Sequence, residues 1–368
     1  MNFFMKKMLS LIAFITFFAA APAFSAEASL DEMIGQMIIL GFKGNSTLSK
    51  GFREVSNDLK EGKISGVIFF EDNIKNKEHL DEMTQILYST RMAARPFIAI
   101  DMEGGQVQRM NAENGFINYP SAKKMAEEYD IKKAGELYSD MAQTLSSSLF
   151  NVNFAPCVDL DLNENSILHK KERSYSSDPN KVTLYAYEFI KAHSDKAIVT
   201  ALKHFPGHGS VSEDTHLNFA DATATHKDEE LLPYENLMFK NDLQMVMVSH
   251  IFDSNYDEIY PASLSYETIG KLLRRNMNFN GVVVTDDLDM GAIRQNYDLE
   301  ETVIQAVNAG NDILLFSNRE RHNPNLADDI NKIIKNAILD GLIEPSRIQE
   351  SYDRIIKLKK TIVASEKK

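Results

Sequence analysis

Eight short apolar runs alternate with longer helix-like segments, and this alternation predicts an α/β fold: a single TIM-type (β/α)8 barrel. The runs are residues 37–42, 66–70, 97–100, 152–155, 197–202, 245–248, 281–285 and 313–316. Each is apolar at nearly every position rather than at every second one, as a parallel strand covered on both faces should be. Between them lie helix-like stretches at 77–92, 122–149, 179–192, 228–241 and 299–309, and two more, 325–339 and 345–360, close the chain. An open doubly wound sheet is the alternative topology for the same order of elements. No linker, low-complexity tract or charge block divides the chain after its first residues, so one domain is expected over 27–368.

The first residues carry Lys6 and Lys7, an apolar stretch at 9–18, and small residues around 20–26. That pattern reads as a secretory signal peptide over 1–26, its apolar part too short for a comfortable membrane span. Cleavage after Ser25, Ala26 or Ala28 fits equally. An exported protein, periplasmic or secreted and without stable membrane association after cleavage, is the expectation. Roughly 340 residues then remain, a normal length for an α/β barrel. The net charge is −13, and loss of the leader lysines makes the mature chain more acidic. Such a surface argues against nucleic acid or an anionic membrane as partner. Cys157 is the only cysteine, so no internal disulfide can form, and a monomer resting on one large core is expected.

Polar residues follow the apolar runs where a barrel gathers its chemistry, at the carboxyl ends of strands. Run three ends at Asp101 and run four leads to Asp159 and Asp161. Run five leads to Lys203 and His204, run six to Ser249 and His250, run seven to Asp286 and Asp287, and run eight to Ser317 and Asn318. The fifth region is the densest. KHFPGHGSVSEDTH at 203–216 places a Lys, three His and two carboxylates within fourteen positions.

Zinc is one reading of His204 and His208, with Asp214 and His216 nearby, but Pro206 and Gly207 take the i, i+4 pair off any helix face. No metal or organic cofactor is therefore expected. There is no G-x-S-x-G elbow for a serine nucleophile and no phosphate- or dinucleotide-binding fingerprint. Carboxylates suit glycoside hydrolysis, which needs one beside the anomeric carbon and a proton donor for the leaving oxygen. Asp286 is a candidate nucleophile at a strand end. A histidine can donate near neutral pH without large perturbation, and Asp214, two residues before His216, could orient that imidazole. Spacing alone leaves the Asp214–His216 pair suggestive, because such pairs in loops are often structural.

KHFPGHG at 203–209, followed by Asp214, Thr215 and His216, closely resembles the signature of glycoside hydrolase family 3 β-N-acetylglucosaminidases (β-hexosaminidases). The branch it resembles is the single-domain, peptidoglycan-recycling type. IAIDMEGGQVQRM (98–110), NFAPCVDLD (153–161), ERSYSSDP (172–179), GVVVTDDLDMGAI (281–293) and HIFDSNYDEIYPASLS (250–265) agree with that family in order and spacing. The resemblance implies that Asp286 attacks the anomeric carbon and that His216, supported by Asp214, serves as acid and then base. It implies that Asp101, Arg109, Arg173, Lys203 and His204 hold the non-reducing sugar. Asp287 is expected to be a structural hydrogen-bonder, and Glu103 and Asp161 supporting partners. His208 is expected to orient its loop.

The implied activity is a retaining exo-β-N-acetylglucosaminidase on peptidoglycan fragments or chitin-type oligosaccharides. A β-N-acetylglucosaminide phosphorylase, or a catalytically weak cell-wall sugar-binding protein, are the alternatives. Gln106 stands where the family usually has Arg, and Lys171–Glu172 where it has a Gly-containing pair; residues 163–171 also differ. These departures bear on the leaving-group side of the site.

Overall fold

The structure, a computed structural model, describes residues 28–90, 94–212, 220–238 and 243–365. The proposed leader, Asp214 and His216 lie outside the described residues. Eight parallel strands form a nearly closed barrel: β1 (Ile38–Leu40), β2 (Gly66–Phe69), β3 (Phe97–Ile100), β4 (Val152–Asn153), β5 (Val199–Phe205), β6 (Met245–Val248), β7 (Val282–Thr285) and β8 (Leu314–Phe316). The hydrogen-bonded order is β7-β6-β5-β4-β3-β2-β1-β8. The last seam, between β7 and β8, carries one isolated bridge, Val284 to Ile313.

Burial on both faces explains why the strands are so uniformly apolar. All residues of β2, β3, β6 and β7 are buried. The covering helices show the complementary one-sided pattern. Lys50–Lys60 turns Gly51, Phe52, Val55 and Leu59 inward and leaves its charges outside. The expected helix over 122–149 is two helices, Ala122–Glu128 and Ile131–Ser147. Tyr129 takes an extended conformation between them, and Asp130 caps the second by accepting from the Lys133 amide. An N-cap carboxylate is worth about 1 kcal/mol, enough to favour a fresh start there.

Several strand ends differ from the apolar runs for identifiable reasons. Met37 is the C-cap of the helix Leu30–Gln36 rather than the first residue of β1. Phe70 leaves β2 because its amide donates to Asn73 Oδ1 in a tight turn. β4 stops at Asn153, shortly before Pro156, which has no N–H to donate. β5 runs on through Lys203, His204 and Phe205, all buried.

The last helix, Pro345–Ser365, reaches the amino-terminal ends of β1 to β3 through Lys359. Its Lys359 is buried, donates to Gln36 Oε1 (2.7 Å) and Ser65 O (3.1 Å), and lies 4.5 Å from the Phe97 ring centroid. Burial pulls its ammonium down to about 7. Among the described residues no helix is long and apolar enough to cross a membrane.

Candidate active site

The carboxyl ends of the strands carry a continuous chain of opposite charges. Asp101 follows β3 and begins a hairpin, Met102–Gly104 paired with Val107–Gln108. Gly104 turns it at φ +98°, where any Cβ would lie 2.2 Å from Pro120 O. Asn153 of β4 fixes the peptide between Asp101 and Glu103 from both sides: its Oδ1 accepts the Met102 N–H (3.0 Å) and its Nδ2 donates to Met102 O (3.0 Å). The Asn153 amide also donates to His193 Nε2 (3.1 Å), while His193 Nδ1 donates to Phe189 O (2.9 Å). That arrangement requires a neutral ring, and burial holds His193 down at about 4.

From this fixed segment the charges alternate. Arg109 Nη2 donates to Asp101 Oδ2 (3.2 Å), and Lys203 Nζ donates to Asp101 Oδ1 (2.9 Å). The same Nζ lies 2.6 Å from Glu103 Oε1. Arg173 grips Glu103 with both arms of its fork, Nε to Oε2 (2.9 Å) and Nη2 to Oε1 (2.7 Å). Arg173 Nη2 also donates to His204 Nε2 (3.2 Å), and His204 Nδ1 donates to Asp159 Oδ2 (2.6 Å). The ring is therefore neutral, protonated on Nδ1 and accepting on Nε2.

Burial opposes the charges of Asp101, Glu103, Asp159 and Lys203, and the neighbours win. Burial pushes Glu103 up, but Arg173 and Lys203 bring it down to about 2. Asp101 is likewise lowered, by Lys203 and Arg109 against burial. Burial drags Lys203 down, yet Asp101 and Glu103 hold it above its ordinary value. Asp159 is held far below the carboxylate range despite burial, by the hydrogen bonds that the His204 ring and the His204 amide donate to it. All the sugar-holding residues expected from the sequence, Asp101, Arg109, Arg173, Lys203 and His204, thus sit in one network. Glu103 is its centre.

The loop after β5 is pinned from beneath. His208 N–H donates to Asp159 Oδ1 (2.8 Å), and Gly209 N–H to Glu230 Oε2 (2.8 Å). Gly207 has φ +138° and packs on Glu230, where a Cβ would come within 2.5 Å of the Glu230 Cβ. Val211 and Ala220, either side of residues 213–219, join Ala222 and Ile251 in a small apolar cluster. Glu230 lies outside the motif in sequence, and the motif's only trace of it is Gly207. Asn153 carried a signal, a polar residue inside an apolar run.

At β7, the Asp286 amide donates to Val248 O (2.9 Å), and Asp286 Oδ1 accepts the Asp287 N–H (2.8 Å). Asp287 stitches the weak barrel seam: its Oδ1 accepts the Ser317 N–H (2.8 Å) and the Asp289 N–H (3.0 Å). Burial and the neighbouring Asp289 push its carboxyl up to about 7. His250 Nε2 donates to Asp287 O (2.9 Å), and Ser263 Oγ lies 2.7 Å from its Nδ1. The divergent segment 163–171 forms the short helix Ile167–Lys170, tied in by His169 to Asp161 (2.8 Å) and by Asn163 to Ser210 O (3.1 Å).

The family model for the glycosyl hydrolase family 3 N-terminal domain matches residues 29–358. A β-hexosaminidase A from Pseudoalteromonas piscicida is 29% identical over 94% of this chain, which spans 64% of that protein's length. A β-hexosaminidase from Photobacterium profundum is 31% identical, over 87% of this chain and 91% of its own. A glycoside hydrolase family 3 β-N-acetylglucosaminidase structure from Paenibacillus superposes with a TM-score of 0.83 at 28% identity, covering 92% of this chain and 64% of that one. With a match along nearly the whole described barrel, the chain belongs to glycosyl hydrolase family 3.

Proposed function

We propose that the protein is an exported, retaining exo-β-N-acetylglucosaminidase that removes a terminal β-linked N-acetylhexosamine from peptidoglycan fragments or chitin-type oligosaccharides. The observation that carries this reading is the buried chain Arg109–Asp101–Lys203–Glu103–Arg173–His204–Asp159 at the barrel mouth, in a family whose relatives are named β-hexosaminidases. Such a network presents fixed donors and acceptors to sugar hydroxyls and an N-acetyl group, and it leaves little reorganisation to the reacting state.

In this reading Asp286 attacks the anomeric carbon as the bond to the leaving oxygen breaks, giving a covalent glycosyl-enzyme. His216, oriented by Asp214, gives its proton to the leaving oxygen and then takes one from the incoming water. Two displacements restore the starting configuration. His250 and Asp287 hold the peptide beside Asp286, so the nucleophile approaches from a fixed direction. The chemistry calls on no metal or organic cofactor. The leader over 1–26 would be removed on export, leaving one catalytic barrel over 27–368 that acts as a soluble monomer.

The test is hydrolysis of an aryl β-N-acetylglucosaminide by the mature protein, with product stereochemistry read by NMR. Release of the β-anomer, lost in Asp286→Ala, is the expected result. Turnover that survives in Asp286→Ala, or an inverted product, would sink the mechanism. Sugar-1-phosphate formation on adding inorganic phosphate would replace hydrolase by phosphorylase.

A further inference from the structure

Cys157, Asp159 and His204 lie together beneath the network, each buried, with one ligand atom apiece and all three atoms within 4.8 Å of one another. Neither the sugar-holding role nor the proton-transfer steps use the thiol. Asp159 Oδ2 receives two side-chain donors, the Cys157 S–H (3.2 Å) and the His204 Nδ1–H (2.6 Å). Its other oxygen, Oδ1, is occupied by the backbone N–H groups of His204 (3.2 Å) and His208 (2.8 Å). Two protons thus converge on one carboxylate oxygen, from a sulfur and from an imidazole.

We propose that this triad is a binding site for a single thiophilic divalent cation of the zinc or cadmium type, and that its occupation inhibits the enzyme. The donor set of thiolate, imidazole and carboxylate selects such ions over magnesium or calcium, which require oxygen cages. Tetrahedral zinc sets its ligand atoms about 3.3–3.5 Å apart. The two edges to Asp159 Oδ2, 3.2 Å from Cys157 Sγ and 2.6 Å from His204 Nδ1, lie near that range, and the third edge is within 4.8 Å. Charge also balances. Asp101 and Glu103 are already faced by Arg109, Lys203 and Arg173, so the two negative charges set against the dication are the Asp159 carboxylate and the new thiolate. Beside the triad, His208 Nδ1 is buried and has no hydrogen-bond partner among the described residues, so a further nitrogen donor borders the site.

Inhibition follows from proton bookkeeping at His204. The cation takes the Cys157 sulfur, whose proton leaves to solvent, and it takes Nδ1, whose proton moves to Nε2. That nitrogen now bears a hydrogen facing the Arg173 Nη2–H, 3.2 Å away. Two donors oppose each other where a donor had met an acceptor, so the Arg173–His204 contact breaks and the pocket loses its arrangement. The Cys157 S–H proton, which points at Asp159 in the free protein, is given up on binding, one per ion.

The experiment uses the mature protein titrated with cadmium or zinc ions. Cadmium–thiolate charge-transfer absorption at one ion per chain is expected, with about one proton released per ion by calorimetry in buffers of different ionisation heat. Cys157 is the only cysteine, so this absorption can have no other origin within the chain. Cys157→Val, with Cys157→Ser as a second variant should the first fail to fold, is expected to abolish the absorption. Either variant should raise the inhibitory metal concentration roughly tenfold or more while leaving metal-free activity in place. No absorption in the wild type, or equal inhibition of wild type and variant, would overturn the proposal. The inhibition rests on the glycosidase reading, whereas absorption and proton release are read without substrate. A protein that binds cadmium in this way yet hydrolyses nothing would refute the function and leave the site.

Discussion

Lys203→Met is the most informative single change in the network. The ammonium is almost fully buried and lies 2.9 Å from Asp101 and 2.6 Å from Glu103, so its loss strands part of two buried negative charges. Breaking a buried ion pair by removing one partner costs about 3–5 kcal/mol. An independent figure comes from Glu103, held at about 2 against an ordinary 4.5. A depression of that size is worth roughly 3 kcal/mol of stability at neutral pH, shared here between Lys203 and Arg173. The Lys203 share of that figure lies below the ion-pair range, so the lower end of the range, about 3 kcal/mol, is the expected loss at pH 7. The pH dependence follows in sign. A carboxyl lowered in the folded state contributes above its unfolded value of 4.5 and loses that contribution as pH falls towards 2. The gap between wild type and Lys203→Met should be widest at pH 7 and narrow between pH 4.5 and 3. Urea unfolding at pH 7, 4 and 3, with unchanged slope, measures it. A loss below about 1 kcal/mol at pH 7, or a gap that does not narrow on acidification, would refute the reasoning.

Two other groups give opposite pH signatures. Asp287 is raised from 3.8 to about 7, so its favourable contribution is complete below 3.8 and disappears as pH rises through 7. Relative to Asp287→Asn, whose amide oxygen can still accept from Ser317 and Asp289, the wild type should lose up to about 4 kcal/mol between pH 4 and 8, read as urea midpoints. Equal slopes for the two proteins would show that Asp287 does not titrate there. Lys359 is lowered from 10.5 to about 7, so the unfolded chain binds the extra proton between those values and stability rises with pH. Wild type should gain up to about 4 kcal/mol on Lys359→Met between pH 7 and 10; thermal or urea midpoints that stay parallel would exclude a titrating lysine.

The parts of the molecule that could be read from the chain are those whose cause is local. β3 and β6 fall at 97–100 and 245–248 as the apolar runs do, because burial on both faces selects residues one by one. β5 was harder to bound. Its last residues include Lys203 and His204, and a buried strand can hold them only because Asp101, Glu103 and Asp159 arrive from β3 and β4. A charge inside a strand is thus the trace of partners that the strand's own sequence does not contain. The motif at 203–209 marks the place but not the partners. Glu103 was expected to assist, yet it is the carboxylate that joins Lys203 to Arg173, a role fixed by the hairpin at Gly104 and by the Asn153 side chain. Glu230 is the clearest case. It supports Gly209 from another element, and the only sequence sign of it is the glycine at 207, which leaves room for the Glu230 side chain. The glycines of the signature are therefore set by what packs beneath the loop, and substituting Gly207 should disturb the pocket through Glu230 rather than through any contact with sugar.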